Sequence, residues 1–465
     1  MEFDKTLTIL LTEPLPSWAG SAIAKLKGMA HIHLVTTPQQ NQPAIVLHYG
    51  GHIEEACRQY GYGRLGFWFF RWANSDDGVM DAARRSAAAG LPLEVGLWAK
   101  YPDGRCECLY QSFGFLEPYA INRCVQQAMA KAAHFPVRVL AAYFGRSALP
   151  VCKAETVPLR SNKGWAYVAE VWAILKKITR KLLYKEQWFV IVGKGMAQIP
   201  DVQAAYWQLE PGTGQFWADP FPLEYQGRQW VLVEQLPYQS WRGHLAAIEL
   251  FEDGNYSHAQ PVMVADKHQS YPFVFAWNQE LYLLPESSAS RKLVLWKCKD
   301  FPGQWQPVAE LLSDVYIADS TLIEYQGRWW MFAAIAEEGG CIHDELHVYY
   351  ADCPLGPWQA HPKNPVKSDA RNARPAGNLY VEAGVLYRPA QDCGTEYGKA
   401  VVLNRIDCLD IEDFSETPVA RLEASGCRGF LRTHTLSRSQ HIWTVDGLRL
   451  LPRWQRRAAG TAGTA

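Results

Sequence analysis

The sequence lacks the features that mark membrane-spanning, nucleic-acid-binding or zinc-binding proteins. No uninterrupted apolar run reaches the ~18 residues that a transmembrane helix needs. The formal net charge is -1, whereas wholesale nucleic-acid binding needs a basic surface. The 11 cysteines are scattered without pairs at zinc-site spacing, and no secretion signal precedes them. We therefore expect a cytoplasmic protein with reduced thiols, no nucleic-acid partner, no bound metal and no cofactor.

Aromatic residues, by contrast, are abundant. The chain of 465 residues contains 19 Trp, 22 Tyr and 18 Phe, which together make up 13% of it. Aromatic side chains favour half-buried β-strands, and their flat rings also stack on sugars. The length exceeds what one ordinary core accommodates. We expect at least two domains, one of them rich in β-structure.

Residues 1–150 alternate between short apolar runs and helix-like segments, which predicts an α/β domain with a parallel, Rossmann-like sheet. The predicted strands are Thr6–Leu11, His31–Thr36, Ala44–His48, Gly66–Phe70 and Glu94–Ala99. The predicted helices are Ser17–Met29, Ile53–Gln59, Met80–Ala89 and Tyr119–Ala133.

Residues 151–186 contain a predicted linker followed by an amphipathic helix, Trp165–Lys185. The apolar side chains share one face at three- and four-residue spacing, and five Lys or Arg side chains follow from residue 176. Such a helix packs between two domains with a solvated basic face, or lies on a membrane surface where the cations meet anionic lipid. Both interpretations stay open, and the second would place the protein at the inner face of the membrane.

From residue 187 to 452 the helical period is replaced by an internal repeat. Its copies begin at Trp217, Ser270, Ala318, Arg374 and Thr433, roughly 50 to 58 residues apart. Each copy is a strand, a tight turn and an aromatic-rich return strand. The repeat predicts an all-β five-bladed β-propeller. Residues 453–465 are expected to form a disordered tail.

The first strand of each propeller blade lines the central axis, so the residues at its start should meet in a shared pocket. Those residues are Asp219, His268 with Tyr271, Asp319, Arg374 and His434. One strand later stand Glu234, Glu286, Ala334, Gln391 and Asp446. Burying these charges unpaired costs several kcal/mol each, so they pair with one another across the channel or bind a polar ligand.

The segment Ala218-Asp219-Pro220 resembles the first blade of glycoside hydrolase family 43. In that family an Asp of the first blade is the general base, an Asp of the third tunes pKa values, and a Glu of the fourth is the general acid. The resemblance implies the first two roles for Asp219 and Asp319. The fourth blade here begins Arg374-Pro375-Ala376 and has no carboxylate at that point. Either Glu286 or Glu234 serves as the acid, or this type of hydrolysis is lost.

A second resemblance extends over most of residues 165–450. It rests on Glu186-Gln187-Trp188, Phe216–Pro220, His268–Pro272, Asp319-Ser320, Arg328–Phe332, Leu355-Gly356-Pro357-Trp358, His361–Pro365, Arg374–Gly377, Gln391-Asp392-Cys393 and Tyr397-Gly398. These segments resemble the N-terminal module of the glucosamine inositolphosphorylceramide transferase family, which accompanies a separate glycosyltransferase domain. The resemblance implies glycan or glycolipid metabolism, with a sugar, sugar nucleotide or glycolipid as ligand and a glycosyltransferase as a further partner. The expected substrate-binding residues are Glu234, His268, Tyr271, Arg374, Arg388, Gln391, Asp392 and His434.

The N-terminal domain resembles the formyltransferase fold of methionyl-tRNA and sugar N-formyltransferases. Gly66–Trp72 corresponds to the strand that ends in a catalytic His-containing motif in that fold, but Arg71 and Trp72 stand in its place. Asp103-Gly104 corresponds to a later Asp-containing turn. Because formyl transfer needs His and Asp to move the proton of the amine, we expect this domain to be catalytically degenerate.

Three functions follow from these observations. The first is a carbohydrate-active enzyme, a transferase or hydrolase of cell-surface polysaccharide or glycolipid metabolism, that uses Asp219, Asp319 and Glu286. The second is a non-catalytic glycan-binding module that serves a glycosyltransferase. The third is a sugar N-formyltransferase.

Overall fold

The computed structural model describes residues 6–37, 42–73, 78–145, 162–195, 198–424 and 430–454. The chain divides into two compact units, the first comprising residues 1–173, 336–344 and 367–369, and the second residues 174–335, 345–366 and 370–465. None of the helices within the described ranges is both long and apolar enough to cross a bilayer. The predicted linker up to residue 161 and the predicted tail beyond residue 454 lie outside the described residues.

The first unit is an α/β domain with a six-stranded sheet in the order β2-β1-β3-β4-β5-β6. Its strands are β1 (Leu7–Leu11), β2 (Ile32–Val35), β3 (Ile45–Leu47), β4 (Phe67–Trp72), β5 (Leu93–Lys100) and β6 (Cys106–Gly114). Its helices are α1 (Gly20–Gly28), α2 (Ile53–Tyr60), α3 (Val79–Ala88), α4 (Ile121–Ala132) and α5 (Phe135–Gly145), and α6 (Lys163–Leu183) follows. The predicted α/β class is confirmed.

The sheet of the first unit is mixed rather than parallel throughout. Strands β1 to β4 pair in parallel, but β5 runs antiparallel to β4, and β6 forms a hairpin with β5. Apolar periodicity indicates which side chains a strand buries but not the direction of the strand. The prediction of a wholly parallel sheet was therefore wrong for β5.

Two elements of the first unit were not predicted. Strand β6 follows the turn at Asp103-Gly104, and helix α5 begins at Phe135-Pro136. A proline in the first turn of a helix loses no internal hydrogen bond, so Pro136 starts α5 instead of breaking it. The predicted helix Tyr119–Ala133 ended just before this point, and no second helix was expected after it.

The second unit is the predicted five-bladed propeller, built from five antiparallel sheets. Blade 1 comprises β9 (Gln215–Tyr225), β10 (Arg228–Pro237), β11 (His244–Leu250) and β12 (Gln260–Met263). Blade 2 comprises β13 (Ser270–Trp277), β14 (Glu280–Glu286), β15 (Lys292–Asp300) and β16 (Gln304–Ser313). Blade 3 comprises β17 (Tyr316–Tyr325), β18 (Arg328–Ala336), β19 (Glu345–Ala351) and β20 (Gln359–Ala360), and the short strand β21 (Lys367–Ser368) that follows in the sequence belongs to the first unit. Blade 4 comprises β22 (Tyr380–Glu382), β23 (Val385–Asp392), β24 (Ala400–Leu409) and β25 (Phe414–Glu423).

Blade 5 is assembled from both ends of the propeller. Its strands β26 (Leu436–Arg438) and β27 (Ile442–Pro452) pair with β7 (Tyr184–Lys194) and β8 (Trp207–Leu209) in the order β26-β27-β7-β8. Eleven residue pairs join β27 to β7, from Ile442 opposite Lys194 to Pro452 opposite Tyr184. The first and last strands of the propeller segment pair in this blade and close the ring. This closure fixes the circumference of the propeller, and with it the position of the polar centre.

The register of the first two blades makes Glu234 and Glu286 equivalent. Glu234 lies opposite Ala218 and Glu286 opposite Ser270, and in both blades the register shifts at this end of the hairpin. Such a bulge inserts an extra residue and redirects the side chains that follow it. The predicted equivalence of the two glutamates is confirmed.

Candidate functional site

Three blades place a residue with unusual backbone geometry at the start of the inner strand. Asp219, Tyr271 and Asp319 have φ angles of 50°, 48° and 52°, a region that favours glycine. Each of these backbone N–H groups donates to a carboxylate: Asp219 to Asp446 (3.3 Å), Tyr271 to Asp219 (3.3 Å) and Asp319 to Glu286 (3.1 Å). Such strained conformations cost about 1–3 kcal/mol each and persist where surrounding contacts enforce them. The repeated geometry holds the carboxylates at the centre of the propeller.

The first polar cluster joins blades 5 and 1 through His434. Its Nε2 lies 3.1 Å from Oδ1 of Asp219, and its Nδ1 lies 2.7 Å from Oδ2 of Asp446. The Thr435 hydroxyl also donates to Asp219, at 3.0 Å. All three members of the Asp219–His434–Asp446 cluster are buried.

The charge state of His434 follows from this environment. Burial alone would lower its pKa, but the carboxylates of Asp446 and Asp219 outweigh burial and raise the pKa to about 10. His434 is therefore an imidazolium held between two carboxylates at neutral pH. The same residues offer three ligand atoms within 4.8 Å of one another, the arrangement that could hold a metal ion. A cation there would have to displace the proton of His434.

The second polar cluster joins blades 2, 3 and 4 around Asp319. The guanidinium of Arg374 donates two hydrogen bonds to the carboxylate of Asp319. Nε donates to Oδ2, and Nη2 donates to Oδ1 at 3.1 Å. The amide of Gln391 donates to Oδ2 of Asp319 at 2.7 Å. Arg374 is one of the residues expected to pair across the channel, and its partner is Asp319. A buried aspartate is thus neutralised by a paired, bidentate cation.

Glu286 lies at the edge of the second cluster. Its Oε2 accepts the N–H of Asp319 and lies 4.0 Å from Nη2 of Arg374. Burial and the charge of Asp319 raise the pKa of Glu286 well above its usual range, against the weaker attraction of Arg374. The raised pKa favours the protonated form of Glu286, whose side chain is 13% exposed.

Glu234 forms a third polar contact with His268. The two side chains approach to 3.1 Å, and Nδ1 of His268 accepts the N–H of Gly243 at 3.0 Å. Because Nδ1 accepts, Nε2 carries the proton that is donated to Glu234. Burial raises the pKa of Glu234, an effect larger than the attraction of His268. His268 is 43% exposed and therefore connects Glu234 to solvent.

Tyr271 reaches from blade 2 towards blades 3 and 4. Its hydroxyl lies 3.0 Å from the Thr321 hydroxyl, accepts the N–H of Gly377 at 2.8 Å and lies 3.3 Å from the carbonyl of the same residue. The side chain is fully buried. Tyr271 thus fixes the inner strands relative to one another as well as supplying a backbone N–H to Asp219.

Two of the predicted binding residues have other partners. Arg388 is fully buried in blade 4, where it pairs with Glu416 at 2.6 Å and donates to the Asn372 carbonyl. Asp392 pairs with Arg421 at 2.7 Å and accepts the N–H of Gly394. The structure brings the other nine predicted site residues to the polar centre, and it does not bring these two there.

Asp446 and Tyr397 were not among the expected catalytic or substrate-binding residues. Asp446 is fully buried, and its Oδ1 accepts the N–H groups of His434 and Thr435. The Tyr397 ring lies 5.2 Å from the ring of His434 and 5.3 Å from the guanidinium carbon of Arg374, so it touches both clusters. The repeat had aligned Asp446 with Glu234 and Glu286, and this was the signal that could have found it. Tyr397 lies in a loop, where no repeat position indicates its location.

A cleft of about 680 Å³ lies within the first unit, at the carboxyl ends of β3 and β4. Its lining includes Tyr49, His52, Arg71 and Trp72. The cleft thus contains the two residues that replace the expected histidine motif. Asp103 lies instead on the β5–β6 turn, where it accepts the N–H of Arg105 at 3.0 Å. The formyltransferase resemblance of this unit stays a prediction.

The fold and the site together define a class: a five-bladed propeller whose centre holds a buried set of carboxylates with their cationic partners. A sequence model described as glucosamine inositolphosphorylceramide transferase 1, N-terminal, matches residues 202–442, just over half of the chain. The chain belongs to this family.

Two plant relatives carry the name glucosamine inositolphosphorylceramide transferase 1. The protein from Oryza sativa subsp. japonica is 34% identical over 208 residues, which cover 44% of this chain and 28% of the relative. The protein from Arabidopsis thaliana is 31% identical over 251 residues, which cover 50% of this chain and 32% of the relative. The chain therefore spans about a third or less of the length of these curated relatives.

Solved structures of glycoside hydrolases are similar to part of the chain. A thermostable family-43 glycoside hydrolase is 12% identical with a TM-score of 0.37, covering 48% of this chain and 83% of the hydrolase. A GH43_1 enzyme from Xanthomonas citri, complexed with xylose, is 12% identical with a TM-score of 0.38, covering 52% and 88%.

Proposed function

We propose that this chain is a carbohydrate-active enzyme of glycan or glycolipid metabolism that acts on a glycoside or a sugar donor at the centre of its propeller. The single observation that carries the proposal is the buried carboxyl of Glu286, whose pKa is raised well above its usual range, close to the cation-paired carboxylates of Asp319 and Asp219. Glycosyl transfer and hydrolysis need an acid for the leaving oxygen and a base for the incoming hydroxyl. Neighbouring carboxyls whose environments separate their pKa values are typical of that division of roles.

In this mechanism Glu286 donates its proton to the leaving oxygen at the anomeric carbon. Asp219 takes the proton of the attacking hydroxyl, which belongs to water in hydrolysis and to an acceptor in transfer, as that oxygen bonds to the anomeric carbon and the bond to the leaving oxygen breaks. Burial and the negative charge of Asp319 raise the pKa of Glu286 and so favour its protonated form, and Arg374 holds Asp319 in position. The family name supports a sugar or glycolipid as the substrate class.

A glycan-binding module without catalysis is the second candidate, and one observation favours it. Both oxygens of Asp219 already accept hydrogen bonds, one of them from Thr435, and those of Asp319 are taken by Arg374 and Gln391. Carboxylates committed to internal partners can shape a polar pocket without taking up a proton. The two candidate functions both predict sugar binding, but only the first predicts turnover.

The test compares Glu286→Gln with the control Glu324→Gln, an exposed glutamate of strand β17. The full chain is assayed for hydrolysis of aryl glycosides and for transfer from nucleotide sugars, and its sugar binding is measured by calorimetry. General acid catalysis contributes about 10²- to 10⁴-fold, so Glu286→Gln should lower kcat by that factor while Glu324→Gln leaves it unchanged. Equal turnover in both variants would refute the role of Glu286. Binding without turnover in the unmodified chain would favour the second candidate.

A further inference from the structure

Helix α6 exposes its apolar face and turns its small and charged face towards the protein. Among its 21 residues only Ala166 is buried. The side chains of Val168, Val171, Trp172, Leu175, Ile178 and Leu182 are all 43% exposed or more, and Leu182 reaches 69%. Helices of soluble proteins have the opposite arrangement, with the apolar stripe in the core.

The other face of α6 accounts for the way the helix is held. Ala173, Lys177 and Arg180 are half-buried and follow Ala166 and Glu170 at three- and four-residue spacing. Glu170 accepts a hydrogen bond from Arg84 at 2.7 Å. Further along the helix, Arg180 lies 3.2 Å from Glu186. Polar contacts and small residues therefore attach the helix, and its apolar stripe is left for another surface.

The apolar stripe is large. At 1.5 Å per residue, 21 residues extend for about 30 Å. Trp165 and Trp172 are 61% and 68% exposed, and rings of this size contribute about 150–250 Å² when buried. With the aliphatic side chains between them, the patch is on the order of 500 Å², a size typical of an interaction site.

The charges at the edges of the stripe identify what it contacts. Lys176 lies one helical turn from Trp172 on one edge, and Lys181 lies one turn from Ile178 on the other. Both lysines are exposed. The sole acidic residue of the helix is Glu170, on the face that meets Arg84. The exposed side therefore combines an apolar centre with cationic edges and carries no acidic residue.

We propose that α6 lies in the plane of an anionic lipid surface, with the apolar stripe in the boundary between headgroups and acyl chains. Tryptophan is favoured at that boundary, and lysine extends its ammonium group to the lipid phosphates. A second copy of the helix is a poorer partner, because its cationic edges would meet those of the first copy. This inference goes beyond the proposed function and does not depend on it.

The test uses the full chain with vesicles of phosphatidylcholine alone or with phosphatidylglycerol, followed by co-sedimentation and by the tryptophan emission wavelength. We expect binding to the anionic vesicles that weakens with salt. Leu175→Glu should lower the affinity at least tenfold. Each cation near an anionic surface contributes about fivefold, so Lys176→Gln with Lys181→Gln should lower the affinity about 25-fold.

Val308→Glu is the matched control, because Val308 is 41% exposed on strand β16 of blade 2. It should bind vesicles like the unmodified chain. Circular dichroism should be the same for all variants, since every substituted side chain is exposed. Failure to bind anionic vesicles would overturn the proposal. So would a concentration-dependent dimer that Leu175→Glu dissociates, because the stripe would then belong to a second copy.

Discussion

The imidazolium of His434 makes the stability of the propeller depend on pH above neutrality. Its pKa is about 10 in the folded protein and 6.5 for an ordinary histidine. Because the folded value is higher, this contribution to stability is fully present below pH 6.5 and is lost as the pH rises through 10. Each tenfold change in proton affinity is worth about 1.4 kcal/mol, so the contribution reaches up to about 5 kcal/mol.

The assay is urea denaturation of the unmodified chain, His434→Gln and the exposed control His258→Gln, at intervals from pH 6 to pH 10. Lysines, tyrosines and thiols also titrate in this range, so the informative quantity is the difference between variants. The stability advantage of the unmodified chain over His434→Gln should shrink by several kcal/mol between pH 6.5 and 10, and that over His258→Gln should stay constant. Parallel profiles for the unmodified chain and His434→Gln would refute the ion-paired imidazolium.

Two further substitutions test the packing of the centre. Arg374→Met leaves the Asp319 carboxylate buried without its cation and should cost about 3–5 kcal/mol in urea denaturation. The double variant with Asp319→Asn should recover part of that loss, and a cost below about 1 kcal/mol for Arg374→Met would contradict the pairing. Gly377→Ala should destabilise by more than about 3 kcal/mol, because a Cβ would lie 2.1 Å from the carbonyl oxygen of Leu436 at a φ of 122°. The control Gly384→Ala, with a φ of 79° and open space around it, should cost about 1 kcal/mol, and equal losses would contradict the close approach at Gly377.

The propeller could be predicted from the sequence because its hairpins repeat. Trp217 and Ser270 begin copies of the same strand–turn–strand unit, and the equal spacing of 14 residues from Pro220 to Glu234 and from Pro272 to Glu286 indicated that the two glutamates are equivalent. A closed ring of repeats brings the starts of the inner strands together by symmetry. For this reason most of the predicted site residues do meet.

The ion-pair partners at the centre could not be predicted in the same way. Whether Arg374 pairs with Asp219 or Asp319 depends on side-chain directions set by the left-handed residues at the strand starts. Arg388 and Asp392 both lie on strand β23 but pair with Glu416 and Arg421 of the same blade. Alternation along a strand does not distinguish an axial partner from one in the same sheet.

Helix α6 could be predicted from its amphipathic pattern, but the direction of its apolar face could not. The pattern around Leu175 predicted the helix, and the structure confirms it with its start at Lys163 and its end at Leu183. The pattern did not reveal that the apolar face would point to solvent, because a stripe of the same spacing serves a core equally well. The burial of Ala166 and the polar contact of Glu170 with Arg84 show which face the protein uses.

The central claim is that the middle of the propeller handles a carbohydrate. A crystal structure of the full chain with a bound glycoside or nucleotide sugar tests this most directly. We expect the anomeric carbon to lie between the carboxyls of Asp219 and Glu286. Their separation would then be about 5–5.5 Å for a retaining reaction or about 6.5–9.5 Å for an inverting one. A sugar bound only in the cleft beside Arg71, with the propeller centre unchanged, would contradict the claim.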